Sequence, residues 1–154
     1  MRVFFSAILC FFSVFAQADE KGEVFNFIES FYMEFNRTSD PKSIAAFFAD
    51  SPVFFLGEQP AVSKSQDFAP RMVELLRDSM AIKEFPYTGV EIEFAKVSKD
   101  GSATAAVIFK RSKSNHKYQK AACNIFSLAK LGGKWKILGW STHSTVQEDR
   151  CTWA

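Results

Sequence analysis

From Gly89 onward apolar residues recur at every second position, and this alternation commits the second half of the chain to a sheet. Val90, Ile92 and Phe94 alternate with Glu91 and Glu93, the pattern of a strand with one buried and one wet face. Asp100-Gly101 is a tight hairpin signal into residues 102–113, because such a pair tolerates the left-handed backbone that a two-residue turn requires. Ser114-Asn115-His116 turns the chain into residues 117–131, and Gly132-Gly133 turns it into residues 134–143. Four long antiparallel strands joined by short turns follow.

The residues before Gly89 carry a different period. Over residues 23–36, Val24, Ile28, Phe31 and Phe35, with Phe25 and Tyr32 beside them, keep helical spacing and make a broad apolar stripe. Ser39-Asp40-Pro41 ends that helix and starts a short second one, which runs to about Ala49, buries Ile44, Phe47 and Phe48, and is ended by Asp50. Residues 53–56 form a short buried strand closed by Gly57, with Ala61-Val62 pairing briefly against it. Ser63-Lys64-Ser65-Gln66 offers a capping box, and Pro70 lacks an N–H, so a third helix begins near Gln66. Met72, Val73, Leu75, Leu76 and Met80 supply its apolar face. The expected class is α+β, with helices packed on one face of a curved sheet.

The first eighteen residues stand apart. Met1-Arg2 gives a positive start, residues 3–15 are apolar apart from Ser6 and Ser13, and Ala16-Gln17-Ala18 is the small-x-small pattern of a signal peptidase site. The apolar run is shorter than the roughly 20 residues a membrane-spanning helix needs. Residues 1–18 are therefore expected to be a signal peptide cut after Ala18, residues 19–154 a single secreted or periplasmic domain, with no integral membrane segment after cleavage. Removal of the leader leaves 18 Lys+Arg against 17 Asp+Glu, a balance that argues against a nucleic-acid partner. Cys10 leaves with the leader, and an oxidising compartment favours pairing the remaining Cys123 and Cys151. The bridge would close a loop of about 27 residues, worth on the order of 3 kcal/mol. The alternative is a buried thiol at Cys123 and a frayed tail at Cys151.

Three stretches carry a family resemblance: Phe31-Tyr32-Met33-Glu34-Phe35-Asn36, Ile44-Ala45-Ala46-Phe47-Phe48-Ala49-Asp50, and Gly132-Gly133-Lys134-Trp135-Lys136-Ile137. With the order of elements, they make residues 23–144 resemble the nuclear-transport-factor-two-like superfamily, which includes ketosteroid isomerases, SnoaL-like cyclases and scytalone dehydratase. The resemblance implies a cystatin-like roll: a cone-shaped, curved antiparallel sheet wrapped around three N-terminal helices, with an apolar cavity between them. Its members are enzymes, binding domains and assembly modules, so function is a question for the site.

Compared without gaps, the ketosteroid isomerase pattern places its oxyanion-binding Tyr on Tyr32, its proton-shuttling Asp on Leu56, and its donor Asp near Asn124 or Ile125. A leucine moves no proton, so ketosteroid-type isomerisation is disfavoured. His143-Ser144 ends the last long strand, where many relatives place a His followed by Ser. If its ring shares the cavity with Tyr32, a dehydratase- or cyclase-like lyase or isomerase would use this pair, a His being suited to proton transfer near neutrality. The candidate pocket residues are Ile28, Phe31, Tyr32, Phe48, Phe55, Met72, Leu76, Asn124, Trp135 and His143. Thirteen Phe remain after leader removal, and such rings either line a pocket or fill the cone. No metal or cofactor is expected: the two His are far apart and lack carboxylates at ligand spacing.

Two features bear on partners. Lys110, Arg111, Lys113, His116, Lys117 and Lys120 cluster about one hairpin turn. They form either an electropositive tip for an acidic partner, anionic lipid or polyanion, or a solvated hairpin whose lysines discourage edge pairing. Trp135 and Ile137 occupy one alternation of the last strand, Leu138 and Trp140 the other, with Phe126, Leu128 and Ile125 repeating this next door. A sheet apolar on both faces needs covering twice, by a homodimer partner on the convex face or by residues 145–154 folding back. The leading expectation is a binding domain for a small apolar or amphipathic ligand, without catalysis; the alternatives are the Tyr32/His143 enzyme and a homodimeric assembly module with a filled core.

Overall fold

The computed structural model describes residues 4–37, 42–56, 59–79, 87–113, 120–143, 146–147 and 150–151, with the backbone alone at 4–18, 87–88, 120 and 146–147. The elements run α1 (Phe4–Asn36), α2 (Lys42–Ala45), β1 (Phe48–Phe55), β2 (Pro60–Val62), α3 (Phe68–Ser79), β3 (Tyr87–Val97), β4 (Ser102–Ser112), β5 (Lys120–Leu131), β6 (Lys134–His143), β7 (Val146–Gln147) and β8 (Arg150–Cys151). The expected meander is present as β3–β4–β5–β6. The sheet has six strands in the order β2-β1-β6-β5-β4-β3. It is mixed rather than wholly antiparallel, because β1 runs parallel to β6 while β2 pairs antiparallel to β1, Val53 opposite Val62. The turns follow their local chemistry: Gly101, Gly132 and Gly133 all take positive φ, a backbone that costs glycine little.

Several boundaries differ from those expected. The first helix extends back from residue 23 to Phe4. The second ends at Ala45, and a turn leads into β1, so Phe48 and Asp50 belong to a strand. Residues Phe47 and Phe48 are kept from helix because the Phe47 carbonyl accepts from Ile137 N on β6, a non-local bond that overrides propensity. The third helix starts at Phe68. The Ser63 hydroxyl accepts from Ser65 N within a local turn instead of capping the helix, a competition usual for serine. Gly57, Met80 and residues 114–119 lie outside the described residues.

Bulges bend the sheet and decide its faces. Ser127 pairs Gly139 while Leu128 pairs Ile137, so Leu138 is an extra residue in β6. The extra residue reverses the alternation, and Trp140 points to the same face as Trp135 and Ile137, contrary to the expected opposition. A second bulge lies between Ile92 and Phe94, where Glu93 is the extra residue. Val90 and Ile92 pack on the core, but beyond Glu93 it is Ala95 and Val97 that face inward while Phe94 turns out and is exposed. In β1 the register slips between Phe48 and Val53.

The concave face closes over α1. Phe31 meets Phe126 at 5.6 Å and Trp140 at 5.3 Å, both edge-on, and Phe48 at 5.9 Å, spacings suited to T-shaped ring pairs. Rings from α1, β1, β5 and β6 meet across this face. On the convex face Ala106, Ile108, Cys123 and Cys151 form a second, smaller cluster with Ile125 against it. Cys123 and Cys151 form a disulfide across 28 residues, and the Glu93 carboxylate accepts from Cys151 N at 2.9 Å. The β7–β8 hairpin thus covers the part of the outer face carrying β4 and β5.

Arg77 of α3 fastens the helical layer. Its guanidinium donates to the carbonyls of Phe35 (2.6 Å) and Glu34 (2.8 Å) at the end of α1, where helix carbonyls run out of partners four residues on, and lies over the Phe35 ring; the Glu34 carbonyl also accepts from Arg37 N at 3.1 Å. Replacing it by alanine removes two charge-assisted bonds, each worth about 1.5–3 kcal/mol. Arg77 is only partly buried, and solvent screening discounts that sum, so we expect Arg77→Ala to lower unfolding free energy by roughly 2–4 kcal/mol, read as a lower urea midpoint at unchanged slope.

Candidate functional site

A cleft of about 520 Å³ opens between α3 and the sheet, lined by Leu56, Leu75, Leu76, Ser79, Arg111, Ala121, Ala122 and Thr142. Alternation places Arg111 inward: Ala105, Val107 and Phe109 of β4 pack on the core, and Arg111 continues that set. Only 7% of it is exposed. Burial pulls its pKa below the usual guanidinium value, but a guanidinium stays charged across the working range of proteins. The opposite wall is apolar, with Leu76 buried and Leu75 and Leu56 exposed at the lip.

Thr142 links the cleft to a buried polar chain. Its hydroxyl donates to Asn124 Oδ1 at 2.9 Å, and Trp140 Nε1 donates to the same oxygen at 2.9 Å. An indole nitrogen is a donor only, so the amide orientation follows. Asn124 Nδ2 has no partner among the described residues, and Asn124 is wholly buried. Along β5 it sits between Ala122 and Phe126, opposite Val107. Tyr32 stacks on Phe109 at 5.2 Å and meets Phe126 edge-on. Its hydroxyl also lacks a partner among the described residues, and burial pushes its pKa well above the ordinary phenol value.

The expected site residues therefore separate. Leu76 lines the cleft, as does Leu56, and Asn124 lies one hydrogen bond beneath it. Ile28, Phe31, Tyr32 and Phe48 are buried core, with Met72 packed at its margin. Trp135 belongs to that core and borders a separate, shallow groove with Phe27 and Phe47, where its indole donates to Glu23 at 3.1 Å. Lys130 and then that indole hold the Glu23 carboxyl below its ordinary pKa. Phe55 points away from the core, since its neighbour Phe54 takes the inward position, and is half exposed. His143 is opposite Cys123 on the convex side, exposed, with its ring 3.3 Å from Ser141 Oγ. Tyr32 and His143 thus stand on opposite faces of the sheet and share no cavity.

Arg111 is the residue that reading the hairpin as a solvated tip misplaces. The signal was available in its parity with Phe109. Lys113 does face solvent, and Lys110 forms an ion pair with Glu91 at 3.1 Å. Among the described residues, no group of three or more His, Cys, Asp or Glu could hold a metal ion.

A family model described as NTF2-like protein (DUF6841) matches residues 19–145. Among solved structures, a cystatin-like domain of unknown function from Nostoc punctiforme superposes with a TM-score of 0.64 at 16% identity, covering 86% of this chain and 80% of that one. An NTF2-like protein of unknown function from Shewanella baltica gives 0.58 at 15% identity over 84% and 97% of the two chains. A ketosteroid isomerase-like protein from Erwinia carotovora atroseptica gives 0.59 at 18% identity over 80% and 94%. At such identities the likeness is one of fold. No curated protein matches the sequence.

The Tyr32 hydroxyl is buried at a cost and returns no bond within the described chain, so removing it relieves a desolvation penalty. We expect Tyr32→Phe to leave unfolding free energy unchanged or raise it by about 1 kcal/mol. The wild-type phenol, with its folded pKa raised, gives stability that is fully present below the unfolded pKa near 10 and is lost as pH rises beyond it. Chemical denaturation from pH 8 to 11 should show a decline above pH 10 that is shallower in Tyr32→Phe.

Proposed function

The chain belongs to the NTF2-like family, and from that premise we propose that it is an exported binding protein, not a catalyst, that takes a small amphipathic ligand into the cleft beside α3. The observation that carries this reading is the burial of Arg111 in a cleft whose facing wall is leucine. An apolar body against Leu56, Leu75 and Leu76 with an acidic head on Arg111 satisfies both surfaces. A carboxylate suits the planar fork of a guanidinium, and Thr142 supplies a second polar contact. Leucine at position 56 gives this cleft no proton shuttle of the ketosteroid isomerase kind.

Medium-chain carboxylates are the natural probe. By isothermal titration, decanoate should bind more tightly than decanol, and Arg111→Gln should weaken decanoate by roughly tenfold or more while leaving decanol unchanged. Equal affinity for acid and alcohol in the wild-type protein removes Arg111 from recognition. Absence of binding by either removes the cleft as a ligand site.

A second reading is a homodimer through the part of the outer face that the β7–β8 hairpin leaves open. There Phe55, Val62 and Leu138 are exposed. A solution mass of two chains favours it, and a monomer at high concentration counts against it.

A further inference from the structure

The outer face of the sheet carries one uncharged row that crosses five strands. Register places Phe55 of β1 beside Ser141 of β6, Ser141 beside Ile125 of β5, Ile125 beside Ala106 of β4, and Ala106 beside Phe94 of β3. The bulge at Glu93 is what turns Phe94 outward into this row. Both ends are open, Phe55 at 47% and Phe94 at 40% exposure, whereas Ala106 in the middle is fully buried. The β7–β8 hairpin buries it, with Cys151 packed against Ala106, Ile108 and Cys123. A strip that would otherwise run unbroken is plugged at its centre by the chain's own C-terminal segment.

The plug has little hold of its own. β7 and β8 share two residue pairs, Val146 with Cys151 and Gln147 with Arg150, and an isolated two-stranded hairpin is marginal even at greater length. It is tied down at Cys151, by the bond to Cys123 and by the donation from Cys151 N to the Glu93 carboxylate, which is exposed to competing water.

We propose that the Cys123–Cys151 bond is a redox latch on an association surface. Closed, it holds the hairpin over the row; open, it releases the hairpin and frees the row to pair with the same row of a second copy. Closing passes two electrons and two protons from the thiols to a donor disulfide, which leaves as two thiols, and a dithiol reductant reverses the exchange. A reducing compartment thus keeps the surface open and an oxidising one shuts it. The occupant is a second copy because the row is self-complementary. A two-fold axis through its small centre sets the Phe55 end of one chain on the Phe94 end of the other, and a charged partner finds no counter-charge along it. The surface goes beyond the open patch of Phe55, Val62 and Leu138, whose pairing needs no change at the disulfide.

The test is sedimentation equilibrium of the full chain in three forms: oxidised, reduced with a phosphine, and as Cys151→Ser kept in the same reductant so that no other thiol pairs. Residues 1–18 are common to all three, so the readout is the difference between forms. Reduction and Cys151→Ser should each tighten the monomer–dimer equilibrium by roughly tenfold or more, with the near-UV spectrum of the folded domain retained. Adding Phe94→Lys to Cys151→Ser should reverse the gain. Equal dimer affinity in the oxidised and open forms overturns the proposal. Tighter association that Phe94→Lys leaves intact overturns it by placing the contact elsewhere, and assemblies larger than a dimer overturn the two-fold pairing. Loss of the folded spectrum on reduction also overturns it, making the bond a staple of the whole domain. An oxidised dimer that reduction does not tighten leaves the open-patch reading standing alone, whereas an oxidised monomer that dimerises on reduction removes that reading and keeps the latch.

Discussion

The single extra residue in β6 at Leu138 organises the interior. Without it, Trp140 would leave the sheet on the side opposite Trp135 and Ile137, and the concave face would lose its largest side chain. With it, all three reach the helical layer, and Phe31 finds rings from α1, β1, β5 and β6 within contact. Bulges at Leu138 and Glu93, and the slip within β1, also bend the strands, which lets one sheet wrap one helix. Packing and curvature share a cause, because the residue that reverses the alternation is the residue that turns the strand.

Aromatic rings pack across the concave face, and the cleft beside α3 lies at their margin. Phe31, Phe35, Phe109, Phe126 and Trp140 occupy the interior, and the cleft is found where this packing ends, between α3 and the last residues of β4 and β6. The polar groups are graded along that direction. Arg111 and Thr142 line the cleft, and Asn124 and the Tyr32 hydroxyl lie in the apolar interior. The proposed amphipathic occupant would use both the buried Arg111 and the leucine wall, where a bare ion would use only the first. Arg77, by holding α3 to the end of α1, keeps the leucine wall in place.

The outer face is divided in two. The β7–β8 hairpin, tied by Cys123–Cys151 and by Glu93, covers Ala106, Ile108 and Ile125. Toward β1 and β2 no described element covers the face, and small residues such as Ser127, Gly139 and Ser141 separate its exposed apolar side chains. The apparent apolarity of β6 on both alternations, which suggested that this face needs full cover, comes largely from the bulge: Trp140 is an inward residue.

Local chemistry made much of the fold legible from sequence. Asp100-Gly101 and Gly132-Gly133 form turns because glycine accepts the required backbone, whatever surrounds it, and the stripe from Val24 to Phe35 forms a helix because 3.6-residue spacing gathers its apolar side chains on one side. The strands between those turns follow for the same reason. The faces beyond the bulges, the parallel seating of β1 on β6, the depth of Arg111 and the separation of Tyr32 from His143 were decided only in the tertiary structure. Each depends on which residue of one strand stands opposite which residue of another. A one-residue shift in that pairing moves a side chain across the sheet, and no neighbour in sequence records it.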